Sequence, residues 1–290
     1  MDKTKIDWCD STWNPITGCL HKCEYCYARS IAKRFGGWGY TPGMLRANAA
    51  SEKTYIHPMK AYYGEAVETE HGIIAEIGDP FLTKGVRRAS YPFGFTPTLH
   101  RYRLGEYKNK KGRNIFVCSM ADLFGEWVPD EWIKAVFEAA NKAPQHRYIY
   151  LTKNPNRYYQ LGEGGSAIIP DGGVSGWFGA SATTEEQAQD AWGNLNCSWI
   201  SIEPIHGKFS EEFFWYDNRF TQAIEPRWSW VVIGAETGNR KGKVIPEREW
   251  IEIIVEQCRA ASTPVFMKSS LAEIWEGPLI QEYPFDRRQP

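Results

Sequence analysis

The sequence predicts an α/β chain built on a parallel sheet, as a (β/α)8 TIM-type barrel or a closely related partial barrel. Three observations lead there. Short apolar runs rich in β-formers recur along the chain, with helical stretches between most of them. The runs read as continuous apolar strings, as strands covered on both faces do. Eight such units fit within 290 residues, the size of a barrel of this kind.

The elements follow in order. A strand-like run at 13–17 precedes a helix at 27–35, and a less regular run lies at 95–99. NIFVCSM (114–120) is a strand, and a helix over 129–141 sets Trp132, Val136, Phe137 and Ala140 at helical spacing. HRYIYLTK (146–153) is a strand with a short helix near 156–161. WFGASAT (177–183) is a strand, after which Thr184 and Gln187 open a helix as a capping box. SWISIEP (198–204) and WSWVVIGAE (228–236) are strands. The segment between them, 209–227, is aromatic and irregular, so that crossover is expected to be distorted. A helix at 246–261, with Ile251, Ile254, Val255 and Cys258 on one face, leads to the last strand, PVFMK (264–268). Two segments break the pattern. Residues 36–97, which hold His57, Pro58, Tyr62 and Tyr63, read as an irregular insertion after the first helix, and 162–176 as a Gly-rich loop. No repeat or linker divides the chain, so 1–290 is expected to form one barrel domain.

Composition narrows the class. The formal net charge of −1 advertises no global basic field for nucleic acid. No apolar run reaches the roughly 18 residues of a membrane span, and the start MDKTKIDWCD lacks the apolar core of a signal peptide. A cytoplasmic, reducing setting is therefore expected. With 13 Trp, some aromatic rings are expected to line a cavity.

Cys19, Cys23 and Cys26 form C-x3-C-x2-C, with Tyr25 directly before the third. Three thiolates at this spacing suit a [4Fe–4S] cluster and leave its fourth iron without a protein ligand, whereas electron-transfer clusters are normally held by four cysteines. Zinc is the alternative. Structural zinc takes four ligands, and Cys9 or His21 would supply the fourth. A disulfide framework fits poorly, because seven cysteines in this length are sparse and odd in number. Cys118, Cys197 and Cys258 lie in apolar surroundings and read as packing residues.

In a parallel barrel, ligands bind where the strands end. The ends here carry Ser119, Asp122, Lys153, Ser181, Glu203, Glu236 and Lys268. Polar residues at strand ends also simply meet solvent, but seven on the face of the cysteine loop make a binding site the better reading.

The cysteine motif, set early in the chain between the first strand and the first helix, resembles that of the radical S-adenosylmethionine (SAM) superfamily. WNPITGC, CEYCYA, SMADLFGEWVP, LTKNPNR, WFGASATTEEQ, SIEPIHG, WVVIGAETG and FMK together resemble a narrower group, the phage-associated radical-SAM-like family of uncharacterised proteins, over residues 8–270. The resemblance implies a partial radical SAM barrel with a [4Fe–4S] cluster on Cys19, Cys23 and Cys26. It implies SAM as cofactor and an external electron donor such as a flavodoxin or ferredoxin. Reduction of SAM then yields methionine and a 5′-deoxyadenosyl radical that abstracts hydrogen from a substrate. Tyr25 would pack by the adenine, and Ser119, Asp122, Lys153, Ser181 and Glu203 would contact SAM, lysine at its carboxylate and glutamate at its ammonium or ribose. Glu236 and Lys268 are the catalytic candidates. The superfamily's GGE run is absent after the second strand, and Ser119, Asp122 and Lys153 are its substitutes. The substrate expected is a nucleic-acid base or nucleotide, on the phage association, the basic run KNKKGR at 108–113 with Arg87 and Arg88 second, and aromatic rings able to stack. The alternatives are a small molecule or peptide, or a zinc- or iron-binding module without catalysis. Segments 36–97 and 162–176 are the expected lids.

Overall fold

Seven strands lie side by side in chain order: β1 (Ser11–Trp13), β2 (Asn114–Val117), β3 (Arg147–Thr152), β4 (Trp177–Ala182), β5 (Trp199–Ile202), β6 (Trp230–Ile233) and β7 (Val265–Met267). Every neighbouring pair is parallel, and the sheet curls into a half-barrel. This is a computed structural model, and it describes residues 4–36, 65–80, 82–83, 87–159, 174–193 and 197–287. The helices are α1 (Tyr27–Phe35), α2 (Asp130–Asn141), α3 (Glu185–Trp192) and α4 (Arg248–Ala260). No helix among the described residues is long and apolar enough to cross a membrane.

Alternation along the strands sorts side chains into two layers. Ile115, Val117, Tyr148, Tyr150, Ala180, Ile200, Ile202, Val231, Ile233 and Val265 pack with Val136 and Phe137 of α2, Ala188 of α3 and Ile251 and Ile254 of α4. That is the outer, helix-covered face. Phe116, Ile149, Trp199, Trp230, Val232 and Phe266 point the other way, into the concavity, where Trp8 joins them. Trp8 lies 4.7 Å from Phe116, 5.6 Å from Trp199 and 6.0 Å from Trp230, ring centre to ring centre. The chain's two ends seal this floor: Trp230 Nε1 donates to the Glu282 carbonyl at 3.0 Å, and Asn114 Nδ2 donates to Asp10 Oδ2 at 2.8 Å and to the Arg287 carbonyl at 3.0 Å.

Two departures from the sequence reading have physical causes. The run at 13–17 is two strands. Ser11–Trp13 joins the barrel and Ile16–Thr17 turns into a second sheet, with Pro15, which has no N–H for a ladder, between them. The run at 95–99 is Thr98–His100, the strand beside Ile16–Thr17 in that second sheet, so the barrel has seven strands instead of eight. A parallel neighbour needs a crossover of a dozen or more residues, usually helical. Residues 101–113, which lead to β2, carry the 3₁₀ turn Arg101–Arg103 and no crossover α-helix. The second sheet is completed by the hairpin Gly72–Ile77 and Glu65–Thr69, so part of the expected irregular insertion is ordered sheet. Residues 37–64, 81 and 84–86 of that insertion and 162–173 of the Gly-rich loop lie outside the described residues.

The expected distortion between β5 and β6 is an antiparallel hairpin, Trp215–Asn218 with Ala223–Pro226. Phe209, Phe213, Phe214 and Trp228 fill the space a crossover helix would occupy. Gln257 of α4 fixes this segment, accepting from Phe214 N (3.1 Å) and donating to the Ser210 carbonyl (2.9 Å). At α3 the Thr184 hydroxyl accepts from Gln187 N (3.5 Å), while the Gln187 side chain reaches Thr183 N (2.8 Å), one residue further back than a capping box requires. Cys118, Cys197 and Cys258 are buried, as their surroundings implied.

Candidate functional site

The cysteine loop leaves β1 at the C-terminal end of the sheet. Gly18 makes its turn, at φ +88, with its N–H on the Met120 carbonyl (2.9 Å). A Cβ there would meet the Thr96 carbonyl oxygen at 2.3 Å, so only glycine fits. Cys19 N donates to the Phe95 carbonyl (3.2 Å). Cys26 is the N-cap of α1, its sulfur accepting from Arg29 N at 3.4 Å, where the helix N-terminus favours a thiolate. All three cysteines are half-buried and free of disulfides. Burial pushes the Cys19 thiol up to about 12, and Cys23 and Cys26 add to the shift, so the three sulfurs share one neighbourhood. Coordination to a metal reverses that shift, because a ligating thiol is deprotonated outright.

Asn14 ties the first two strand ends together. Its Oδ1 accepts from Ser119 Oγ (3.1 Å) and Met120 N (3.0 Å), while the Ser119 carbonyl accepts from the Tyr27 hydroxyl (2.6 Å). Asp122 is buried and saturated. Oδ1 takes Phe124 N (3.0 Å) and the Thr152 hydroxyl (2.7 Å); Oδ2 lies 2.7 Å from His21 Nε2 and takes Lys153 N (2.8 Å). Four bonds fill the four acceptor sites of a carboxylate. Burial works to raise its pKa, but His21, Lys153 N and the Thr152 hydroxyl outweigh it and hold the carboxyl below its usual range. Asp122 thus ties the cysteine loop to β2 and β3, with all four of its acceptor sites taken within the chain.

The strand ends gather two groups over the floor. On the β3–β4 side, Lys153 Nζ donates to Ser181 Oγ (2.8 Å) and stands 5.3 Å from the centre of the Tyr25 ring. Burial raises the Tyr25 hydroxyl's pKa, opposed by Lys153. On the β5–β7 side, Lys268 Nζ meets Glu203 Oε1 at 2.5 Å, and Ser201 Oγ donates to Glu203 Oε2 at 2.8 Å. Glu203 reaches β7 across Gly234 at the end of β6, where a Cβ would stand 2.9 Å from Glu203 Oε1. Burial alone would lower the pKa of Lys268, yet Glu203 raises it.

Glu236 lies apart from both groups. Its side chain is 2% exposed and held by Arg240 through two bonds, Nε to Oε1 (2.7 Å) and Nη2 to Oε2 (2.8 Å). Arg240 also reaches Glu24 in the cysteine loop at 3.2 Å. The geometry therefore makes Glu236, a catalytic candidate in the sequence, one anchor of a bridge across the mouth. The sequence reading missed His206, which sits three residues beyond Glu203. Its ring lies 5.5 Å from that of Tyr25, edge-on at 90°, and its backbone N–H binds the Thr183 carbonyl (3.0 Å). Burial lowers its pKa, against the pull of Glu236. Asn14 and Arg240 were missed too. Nothing in local sequence marks either, since their partners lie up to 216 positions away.

The zinc alternative finds its fourth ligands engaged. His21 is on Asp122 and edge-on to Trp127 at 4.8 Å, and Cys9 is buried within the floor beside Trp8. Among the described residues no group of three or more His, Cys, Asp or Glu side chains is placed to hold one metal ion. A single zinc needs donors converging to about 2.0–2.3 Å of one point. A cluster asks for separate thiolates on separate irons, which the donor chemistry of this loop fits. The basic run 108–113 lies in the loop entering β2, at the opposite end of the sheet. There Arg113 Nη1 donates to Ser11 Oγ (3.0 Å) and Lys110 packs 4.5 Å over Tyr107. A surface groove of about 350 Å³ beside the mouth, among residues such as His71, Trp127 and Arg157, contains none of the strand-end groups.

A family model described as a protein of unknown function, DUF5131, matches residues 3–274. No curated protein and no solved structure matches the chain.

Proposed function

The chain belongs to the DUF5131 family, and we propose that it is a radical SAM enzyme with a [4Fe–4S] cluster on Cys19, Cys23 and Cys26. The observation that carries this reading is the position of the C-x3-C-x2-C loop at the C-terminal mouth of a half-barrel, above polar strand ends. Such a cluster, when bound, supplies the electron that splits SAM and generates a carbon-centred radical.

The chain's own residues bind, aim and seal. Lys153, fixed on Ser181, presents its ammonium to the carboxylate of SAM. Tyr25, packed between Lys153 and His206, walls the adenine side. Ser119 lines the mouth between Asn14 and Tyr27. Asp122 holds His21 and the Lys153 backbone in register, and the Arg240 bridge to Glu24 steadies the loop from the far side. The aromatic floor keeps water from below. Lys22, Lys33 and Arg34 are exposed on the loop and α1, a basic face suited to an acidic electron donor such as a flavodoxin or ferredoxin.

The test is product analysis. Anaerobically reconstituted protein with dithionite and SAM is expected to release 5′-deoxyadenosine slowly without added substrate. Release no faster than from the Cys23→Ala variant would overturn the reading.

A further inference from the structure

We infer that the base of the half-barrel, at the end opposite the mouth, is a docking surface for the sugar–phosphate backbone of nucleic acid, held without reading bases. This goes beyond the radical SAM reading and does not depend on it.

The chain's formal net charge of −1 is not spread evenly. At the entries to β2 and β3 gather Lys108, Lys110, Lys111, Arg113, Lys142 and Arg147. Lys142 ends α2, which runs down to the same corner. Against them stand Glu106, Asp10 and Asp286, and Asp10 is already taken by Asn114 and Arg287. Lys108, Lys111 and Lys142 are exposed. The other cations are braced. Lys110 Nζ lies 4.5 Å from the centre of the Tyr107 ring, Arg113 donates to Ser11, and Arg147 packs 4.2 Å over Phe285. Gln145 Nε2 donates to the carbonyls of Lys108 (3.1 Å) and Lys110 (3.0 Å). That pins the β2 loop to the α2–β3 turn, so both sets of cations share one surface. His146 registers their field: burial first, then Arg113 and Lys110, lower its pKa, although its bond to the Tyr107 carbonyl works the other way.

What the surface lacks selects the partner. Large hydrophobic side chains stand exposed at Trp192 and Phe220, but among the described residues none does so in 105–113, 142–147 or 282–287. An acidic protein would need an apolar anchor at the centre of its interface, and a membrane an apolar side chain to insert. A phosphate chain needs neither, because non-specific binding to it is essentially all electrostatic. Tyr107 is buried beneath Lys110, and Phe285 is packed among Arg147, Trp177 and Trp230, so neither ring is open to a stacking base. β3 is 6 residues long, about 20 Å at about 3.3 Å per residue. The surface therefore tethers its partner clear of the cofactor groups at the mouth.

The test measures binding to the purified chain by fluorescence anisotropy. The probes are two duplexes of unrelated sequence, each made as DNA and as RNA. The expected result is saturable binding of at least one kind of duplex, equal for the two sequences within about twofold. Affinity is expected to fall about a hundredfold between about 50 and 200 mM salt, as about four phosphate contacts require. Lys108→Glu, Lys111→Glu and Lys142→Glu together should weaken binding about tenfold or more for both sequences, with an unchanged thermal midpoint. Lys22→Glu with Lys241→Glu, at the mouth, should leave it within about threefold, because charges beyond a Debye length are screened. No saturable binding at about 50 mM salt, binding indifferent to salt, a strong preference for one sequence, or loss in the mouth variant alone overturns the inference. So does tighter binding to poly-glutamate or to phosphatidylserine vesicles, which would make the partner an acidic protein or a membrane. Iron content of the parent chain reports on the radical SAM reading separately.

Discussion

The floor and the mouth of the half-barrel are built by the same strands on the same face, two to four residues apart, and they differ in almost every chemical respect. Ile149 and Leu151 give way to Lys153, Trp199 to Ser201 and Glu203, Trp230 and Val232 to Gly234, and Phe266 to Lys268. The floor is sealed by interlocked rings and by both chain ends. The mouth holds paired charges that stay partly exposed. Apolar burial stabilises by roughly 1.5–3 kcal/mol for each large side chain, so the floor pins the strand ends whose polar groups add little stability. The difference teaches that stability and chemistry are separated along the strand axis, and each half can be broken without the other.

The largest effect belongs to the mouth. Changing Cys19, Cys23 or Cys26 to Ala is expected to remove essentially all iron from anaerobically prepared protein that otherwise carries about four irons per chain. Cys118→Ala and Cys197→Ala should keep it. Iron and sulfide analysis decides this, and one tightly held zinc in place of iron would sink the cluster assignment. Next comes the floor. Trp199→Ala is expected to cost about 3–5 kcal/mol in denaturant unfolding, while iron content per folded molecule is retained. Loss of iron with unchanged stability would reverse the division.

Asp122 ties the cysteine loop to β2 and β3 and gives a pH signature. Its pKa is depressed below 3.8 in the folded chain, so its contribution is fully present above that value and is lost as pH falls through the folded pKa. Asp122→Asn is expected to cost about 1–3 kcal/mol at neutral pH and to flatten the acid limb of the stability profile. An unchanged acid limb would mean that other carboxylates set it. Lys153→Met should weaken SAM binding about tenfold and leave the unfolding midpoint nearly unmoved, read by equilibrium binding and by thermal melts. The smallest effect is expected at the far end. Neutralising Lys108, Lys110 and Lys111 should leave SAM cleavage unchanged, because these residues precede β2 and lie beyond the floor. A substantial fall in cleavage would place the working mouth at the other end.

The sequence by itself determined the class of fold, because a continuous apolar run is a local signal for a doubly covered parallel strand, and six of the seven barrel strands carry it in full. It determined α1, α2 and α4 within a residue or two, since helical periodicity is also local. It named the cysteines and the strand-end groups, because strand direction alone fixes which end each residue meets. Tertiary structure alone decided which of those groups are free. Asp122 and Glu236 look like Glu203 in a string of letters, yet four bonds saturate the first and Arg240 grips the second. Glu203 is left reachable because Gly234, 31 positions further on, offers no Cβ. Tertiary structure also decided that Thr98–His100 leaves the barrel and that the basic run faces away from the mouth. The reason is common to all of these. Local spacing records what a segment can form, whereas hydrogen-bond partners and open space are set by residues tens to hundreds of positions away, which meet only when the sheet curls.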